Sequence, residues 1–155
     1  MARSGSPAIV HPWLGELYWP DWQGQQELLG SIDIDPGVRP PRSNGSRDAE
    51  ILLEVASTDP RPALQAHVEA CAARIKNVLS DLPSIQRYAV DKAPRDWADY
   101  YAAQPGGPLI DRLFLEGIEV DRRLCVSVIF DFGDLDQLVV QLNDKGHSDG
   151  VFLRP

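Results

Sequence analysis

The sequence predicts an α+β fold in which an antiparallel sheet of about six strands carries its helices on one face. Three observations predict it. Apolar and polar residues alternate with a period of two through Gln26 to Asp35, and strand signals return after residue 112. Between these regions, apolar residues from Leu64 to Leu82 recur at helical spacing. The order is therefore strands, helices, strands, and such segregation favours α+β over alternating βαβ units.

The first element is His11 to Trp19, whose aromatic and aliphatic residues favour a strand, stopped by Pro20-Asp21. Gln26 to Asp35 follows, with Leu28, Ile32 and Ile34 on one side and Glu27, Ser31 and Asp33 on the other. The two segments read as a hairpin, closed by Asp35-Pro36-Gly37. Residues 36–47 contain three prolines, two glycines and three arginines, the composition of a flexible surface loop. Glu50 to Ala56 reads as a third strand.

Ser57-Thr58-Asp59-Pro60 then starts a helix, with Asp59 as N-cap and Pro60 at N1, where a missing N–H costs nothing. Leu64, Val68, Cys71, Ile75, Val78, Leu79 and Leu82 form its apolar stripe. Pro83 ends this helix or opens a shorter one through Ile85, Tyr88 and Val90. Pro94 to Gln104 is another short helix, stopped by Pro105-Gly106-Gly107-Pro108. Leu113 to Val120, Leu124 to Phe132, Gln137 to Leu142 and Gly150 to Leu153 complete the strands. Their short connections require antiparallel neighbours.

A chain of 155 residues supports one filled core, so 1–155 reads as a single domain with a loose segment at 1–10. No apolar run approaches the roughly 18 residues needed to span a bilayer, and no hydrophobic region follows Arg3 to form a cleavable signal. Cys71 and Cys125 read as free, buried thiols in a reducing cytoplasm.

Charge narrows the partners. Twenty-three carboxylates against fifteen lysines and arginines give a formal charge of −8. Such a surface repels phosphate backbones and anionic membranes; it either steers toward a basic protein or serves only to keep the chain soluble.

Candidate chemistry is sparse. Asp131, Asp134 and Asp136 place three carboxylates near a strand end, where hard cations find oxygen ligands, but the spacing matches no EF-hand loop and suits an ordinary solvated turn. Asp33 and Asp35 read as a strand end and its turn. His67 and Cys71 share a helix face, yet zinc needs three or four ligands and Cys71 belongs to the apolar stripe. There is no nucleophile elbow, Walker loop or H-E-x-x-H. Cys125, inside an apolar strand, is expected to be unreactive. Catalytic and metal-binding residues are therefore assigned to none, and no cofactor is expected. Tryptophan and tyrosine are enriched at binding hot spots, although they more often fill cores and cover sheet edges. The partner-binding residues expected are Trp22, Trp97, Tyr101, Asp131, Asp134 and Asp136.

The stretch Leu113 to Leu142 carries Ile118-Glu119-Val120, Val128-Ile129-Phe130-Asp131 and Asp136-Gln137-Leu138-Val139-Val140. It resembles the end of several bacterial families of unknown function, in which a helical middle precedes a strand ending in Asp and a D-Q-L-x-V strand. His11-Pro12-x-Leu14-Gly15 is similar to their opening. The resemblance covers about half of the chain, and implies a likeness to families whose members include immunity proteins found beside toxins. The expectation is a cytoplasmic, protein-binding, immunity-type protein, monomeric or homodimeric, that neutralises a basic toxin or effector. The alternatives are a metal-dependent hydrolase built on the aspartate cluster and an oligomeric scaffold.

Overall fold

Pro12-Trp13-Leu14 turns the N-terminal apolar segment back on itself, joining β1 (Ile9–His11) to β2 (Gly15–Leu17). Gly15 takes φ +78°, the left-handed conformation that closes a three-residue hairpin loop. The expected single strand over 11–19 is thus a hairpin. Tyr18, just beyond it, makes one antiparallel bridge with Leu29 of β3 (Glu27–Asp33). The computed structural model describes residues 6–20, 26–33, 48–56, 59–131 and 137–155.

β3 pairs with β4 (Asp48–Glu54), after which the chain enters α1 (Arg61–Ser80), α2 (Leu82–Lys92) and α3 (Arg95–Ala102). A 3-10 turn (Leu109–Arg112) leads into β5 (Phe114–Val120), followed by β6 (Val126–Asp131), β7 (Gln137–Leu142) and β8 (Ser148–Arg154). β3 to β8 form a six-stranded sheet in chain order, and β1–β2 form a second, two-stranded one. The fold is α+β and mostly antiparallel. One pair departs from the expected antiparallel sheet. β4 and β5 lie side by side and parallel, because the helical segment returns the chain to the end of the sheet where β4 began.

The helix start differs by one residue from the sequence reading. Pro60, not Asp59, is the N-cap, and no side chain caps the helix. Pro62 occupies the first turn, where its missing N–H is again harmless. The stripe itself is buried through Leu64, Val68, Cys71, Ala72, Ile75 and Val78. Asp81 separates α1 from α2, and its N–H reaches back to the carbonyls of Asn77 and Val78. α2 buries Leu82, Ile85 and Ala89, and α3 buries Trp97.

These helical residues share one core with Leu28, Ile51, Leu53, Ile118, Val128, Phe130, Leu138 and Val140. All eight project from the same face of the sheet, and each buried side chain of this size is worth roughly 1.5–3 kcal/mol. The hairpin closes the β3 edge on that side. Gly30 lies against it so closely that a Cβ there would meet the Leu17 side chain at 2.7 Å. At the far side of the hairpin His11 is buried, with Nε2 2.7 Å from Glu69 Oε2 on α1. Trp13 sits over Lys76 Nζ at 5.0 Å, a second tie to α1.

Two further turns follow a shared plan. Asp121 Oδ1 accepts the N–H groups of Arg123 and Cys125, and Asn143 Oδ1 accepts those of Lys145 and His147. The left-handed position is Leu124 in the first (φ +67°) and Gly146 in the second (φ +83°). Cys125 therefore belongs to a turn, half-buried, rather than to the interior of β6. No helix among the described residues is long and apolar enough to cross a membrane.

Candidate protein-binding face

Strand alternation gives the six-stranded sheet a second face, turned away from the helices. Cross-strand register places Glu27 beside Glu54, Leu29 beside Leu52, Ser31 beside Glu50 and Asp33 beside Asp48. The same face continues through Gly117 and Glu119 on β5, Ser127, Ile129 and Asp131 on β6, Gln137, Val139 and Gln141 on β7, and Phe152 and Arg154 on β8. Leu29, Ile129 and Val139 are buried there without joining the core under the helices. Asp33, Asp48, Glu50, Glu54 and Phe152 are exposed. β4 is an interior strand, so the exposure of Asp48, Glu50 and Glu54 along it, with Leu52 half-buried among them, means that this part of the face is uncovered.

The face is acidic. Arg154 is the one basic residue that the described strands contribute to it, against Glu27, Asp33, Asp48, Glu50, Glu54, Glu119 and Asp131. Like charges cluster at one corner. Burial pushes the Glu27 carboxyl above the usual carboxylate range, and the neighbouring charges of Glu119 and Glu54 push it further.

A bulge in β5 shapes the middle of the face. The register with β6 shifts between Leu115 and Gly117, so Glu116 is an extra residue. Beside it lies a depression of about 100 Å³ lined by Glu50, Leu52, Glu116, Gly117, Ile118, Glu119, Ile129, Gln137 and Arg154. Gly117 lines this space and is also where β5 comes closest to β4. A Cβ there would come within 3.0 Å of the Glu50 carbonyl oxygen. Arg154 reaches from β8 across β7 and β6 to β5, where Nη1 and Nη2 donate to the two carboxylate oxygens of Glu119 at 3.3 and 3.1 Å. Its Nε donates to Gln137 Oε1 at 3.3 Å on the way.

The residues singled out from sequence fall in three places. Trp22, Asp134 and Asp136 lie outside the described residues, as does Asp35. Trp97 is packed into the core, and Tyr101 beside it is half-buried. Trp97 is 7% exposed, its ring centroid 5.1 Å from that of the half-buried Tyr101, because α3 turns this side of its short helix into the core. The aromatic residue that α3 exposes is Tyr100. Asp131 ends β6 on the acidic face, half-buried.

The helix pair is structural. His67 Nε2 lies 2.9 Å from the Glu54 carbonyl oxygen, and Cys71 Sγ is 3.5 Å from the same nitrogen. Burial, followed by the charge of Asp121, pushes the Cys71 thiol up to about 12, which leaves it protonated and unreactive at neutral pH. Among the described residues no group of three or more His, Cys, Asp or Glu side chains is arranged to hold a metal ion. Both thiols are free.

The acidic face itself was missed in the sequence, although its signal was present. Glu50, Leu52 and Glu54 alternate with Ile51 and Leu53 in one strand, a pattern with carboxylates on the side away from the core. Comparison of the chain with family models, with curated protein sequences and with solved structures finds no match. The functional reading rests on the residues of this face.

Proposed function

We propose that the chain is a protein-binding, immunity-type protein that captures a basic toxin or effector on the acidic second face of its sheet. The observation that carries this reading is the concentration of carboxylates on β3, β4 and β5 around an apolar middle. Glu27, Asp33, Glu50 and Glu54 have neither an ion pair nor a hydrogen bond from their side chains among the described residues. Carboxylates arranged this way repel one another in the free protein, and a cationic partner relieves the repulsion. Leu52, between Glu50 and Glu54 on β4, and Phe152, on the edge strand β8 of the same face, supply contact area that charge alone lacks. The protein acts in the cytoplasm, without cofactor or metal, as a monomer or homodimer. Its work is steric: it covers the basic surface its partner uses.

The test is co-expression with the protein encoded beside it, combined with a direct binding measurement. The expected result is relief of that protein's toxicity and a complex whose affinity falls steeply with salt. Reversing charge on the face, with Glu50→Lys and Glu54→Lys together, is expected to weaken binding at least tenfold. Reversing Asp91 and Asp99 on the exposed helix surfaces is expected to leave it within about twofold, since rim charges remote from a contact contribute mainly to steering. Equal effects of the two reversals, or a neighbour that neither binds nor harms, would overturn the reading.

A further inference from the structure

We infer that the depression at Gly117 is the seat of one arginine side chain of the partner, and that Arg154 occupies its carboxylate in the free protein as an internal stand-in. This rests on the acidic face being the binding face, and names the group that enters it.

The shape of the depression suits a guanidinium group. Leu52 and Ile129 provide apolar wall for the flat faces and methylene stem of an arginine, and Glu50 and Glu119 stand at its edge to accept in-plane N–H groups. Gly117 lines it with backbone alone, and a Cβ at this position would press on the Glu50 carbonyl oxygen of the paired strand at 3.0 Å. Glu119 already holds a guanidinium in the two-pronged geometry that arginine and carboxylate favour. That guanidinium comes from Arg154 on the edge strand, three strands away, and it is 37% exposed. Glu50, on the other wall, has no such partner among the described residues. An incoming arginine can therefore gain Glu50 and exchange with Arg154 at Glu119. Lysine, a point charge without the planar fork, fits the pair less well. Arg154 thus sets a threshold: weakly held cations do not displace it.

The experiment uses the full chain and N-acetyl-arginine amide as probe, with N-acetyl-lysine amide for comparison, and follows the backbone amide signals of Gly117 and Ile129 by NMR. Saturable shifts at both residues are expected with the arginine probe, at several-fold lower concentration than with the lysine probe. Arg154→Ala is expected to tighten the arginine probe by about threefold or more, because the internal competitor is gone. Glu119→Gln is expected to weaken it by at least as much. Arg154→Gln serves the same purpose if the alanine variant is poorly folded, and thermal melts of each variant report folding independently. Absence of saturable shifts at Gly117, or an arginine response unchanged by both Arg154→Ala and Glu119→Gln, overturns the inference. If the probe fails while the neighbour is still neutralised through the acidic face, this inference alone is lost. If the probe binds as expected while no basic partner is captured, the wider proposal is the one that fails.

Discussion

His11 is held from both sides of its ring: Nε2 lies 2.7 Å from Glu69 Oε2, and Nδ1 accepts the backbone N–H groups of Trp13 and Leu14 at 3.1 and 3.0 Å. Two N–H donors on Nδ1 place the ring proton on Nε2, which therefore donates to the carboxylate. One buried side chain thus closes the first hairpin and ties it to α1. His11→Ala strands two backbone donors and removes the tie, and is expected to cost about 2 kcal/mol. Glu69→Gln, at a largely exposed position, is expected to cost about 0.5 kcal/mol or less. Urea denaturation of the two variants checks the contrast, and equal effects would count against a turn-closing role for His11.

Glu27 makes stability depend on pH. Its folded-state carboxyl titrates above the ordinary range, through burial first and then through Glu119 and Glu54. A carboxyl raised on folding is harmless while protonated in both states and disfavours the fold once ionised. Stability attributable to it is therefore lost as pH rises from the ordinary carboxylate value through the raised one. Glu27→Gln is expected to stabilise the protein at neutral pH by about 0.5 kcal/mol or less, since the group is partly solvated, and to do nothing below the ordinary carboxylate range. Melting temperatures across that range check the sign, and added salt is expected to shrink the difference.

The two cysteines are expected to react in sequence. Cys71 is fully buried with its thiol pushed up to about 12, whereas Cys125 sits half-buried in a turn. The Cys125 thiol is also raised, by burial and by Asp121, Asp144 and Asp149, with Arg123 opposing. Native protein at neutral pH is expected to take up one equivalent of iodoacetamide, slowly, at Cys125, and a second only on unfolding. Peptide mass spectrometry reads the site, and labelling of Cys71 under native conditions would contradict the packing described.

Trp97 and Tyr100 separate the buried from the exposed side of α3. Trp97→Ala is expected to cost about 3–5 kcal/mol, as for large buried aromatics in general. Tyr100→Ala, three residues on but exposed, is expected to fall within about 0.5 kcal/mol of the parent. Thermal and chemical melts check both. A Trp97 variant of undiminished stability would restore the residue as a surface anchor.

Much of the secondary structure was legible because it depends on local periodicity. The apolar stripe from Leu64 to Val78, the break at Asp81-Leu82-Pro83 and the span Gln137–Leu142 follow from spacing and from proline geometry. Two local features escaped. The Pro12-Trp13-Leu14 turn is hidden among strand-forming residues, and its closure needs the buried His11 ring and the positive φ of Gly15. The helix cap shifted to Pro60 because Pro62, not Pro60, sits in the first turn.

What the sequence by itself determined is the class of the fold, the helix stripe and the acidic character of the molecule, because these depend on composition and on near neighbours. Only the tertiary structure decided that β4 and β5 lie parallel, and that Trp97 faces inward. The same is true of the gathering of Glu27, Glu50, Glu54 and Glu119 on one face, with Arg154 reaching across it. Glu27, Glu50 and Glu54 lie on the paired strands β3 and β4, whereas Glu119 lies on β5, beyond three helices. The arrival of Glu119 beside them arises from the pairing of β4 with β5, a long-range contact whose hydrogen bonds are made by the backbone and leave no mark in the identity of the residues that make them.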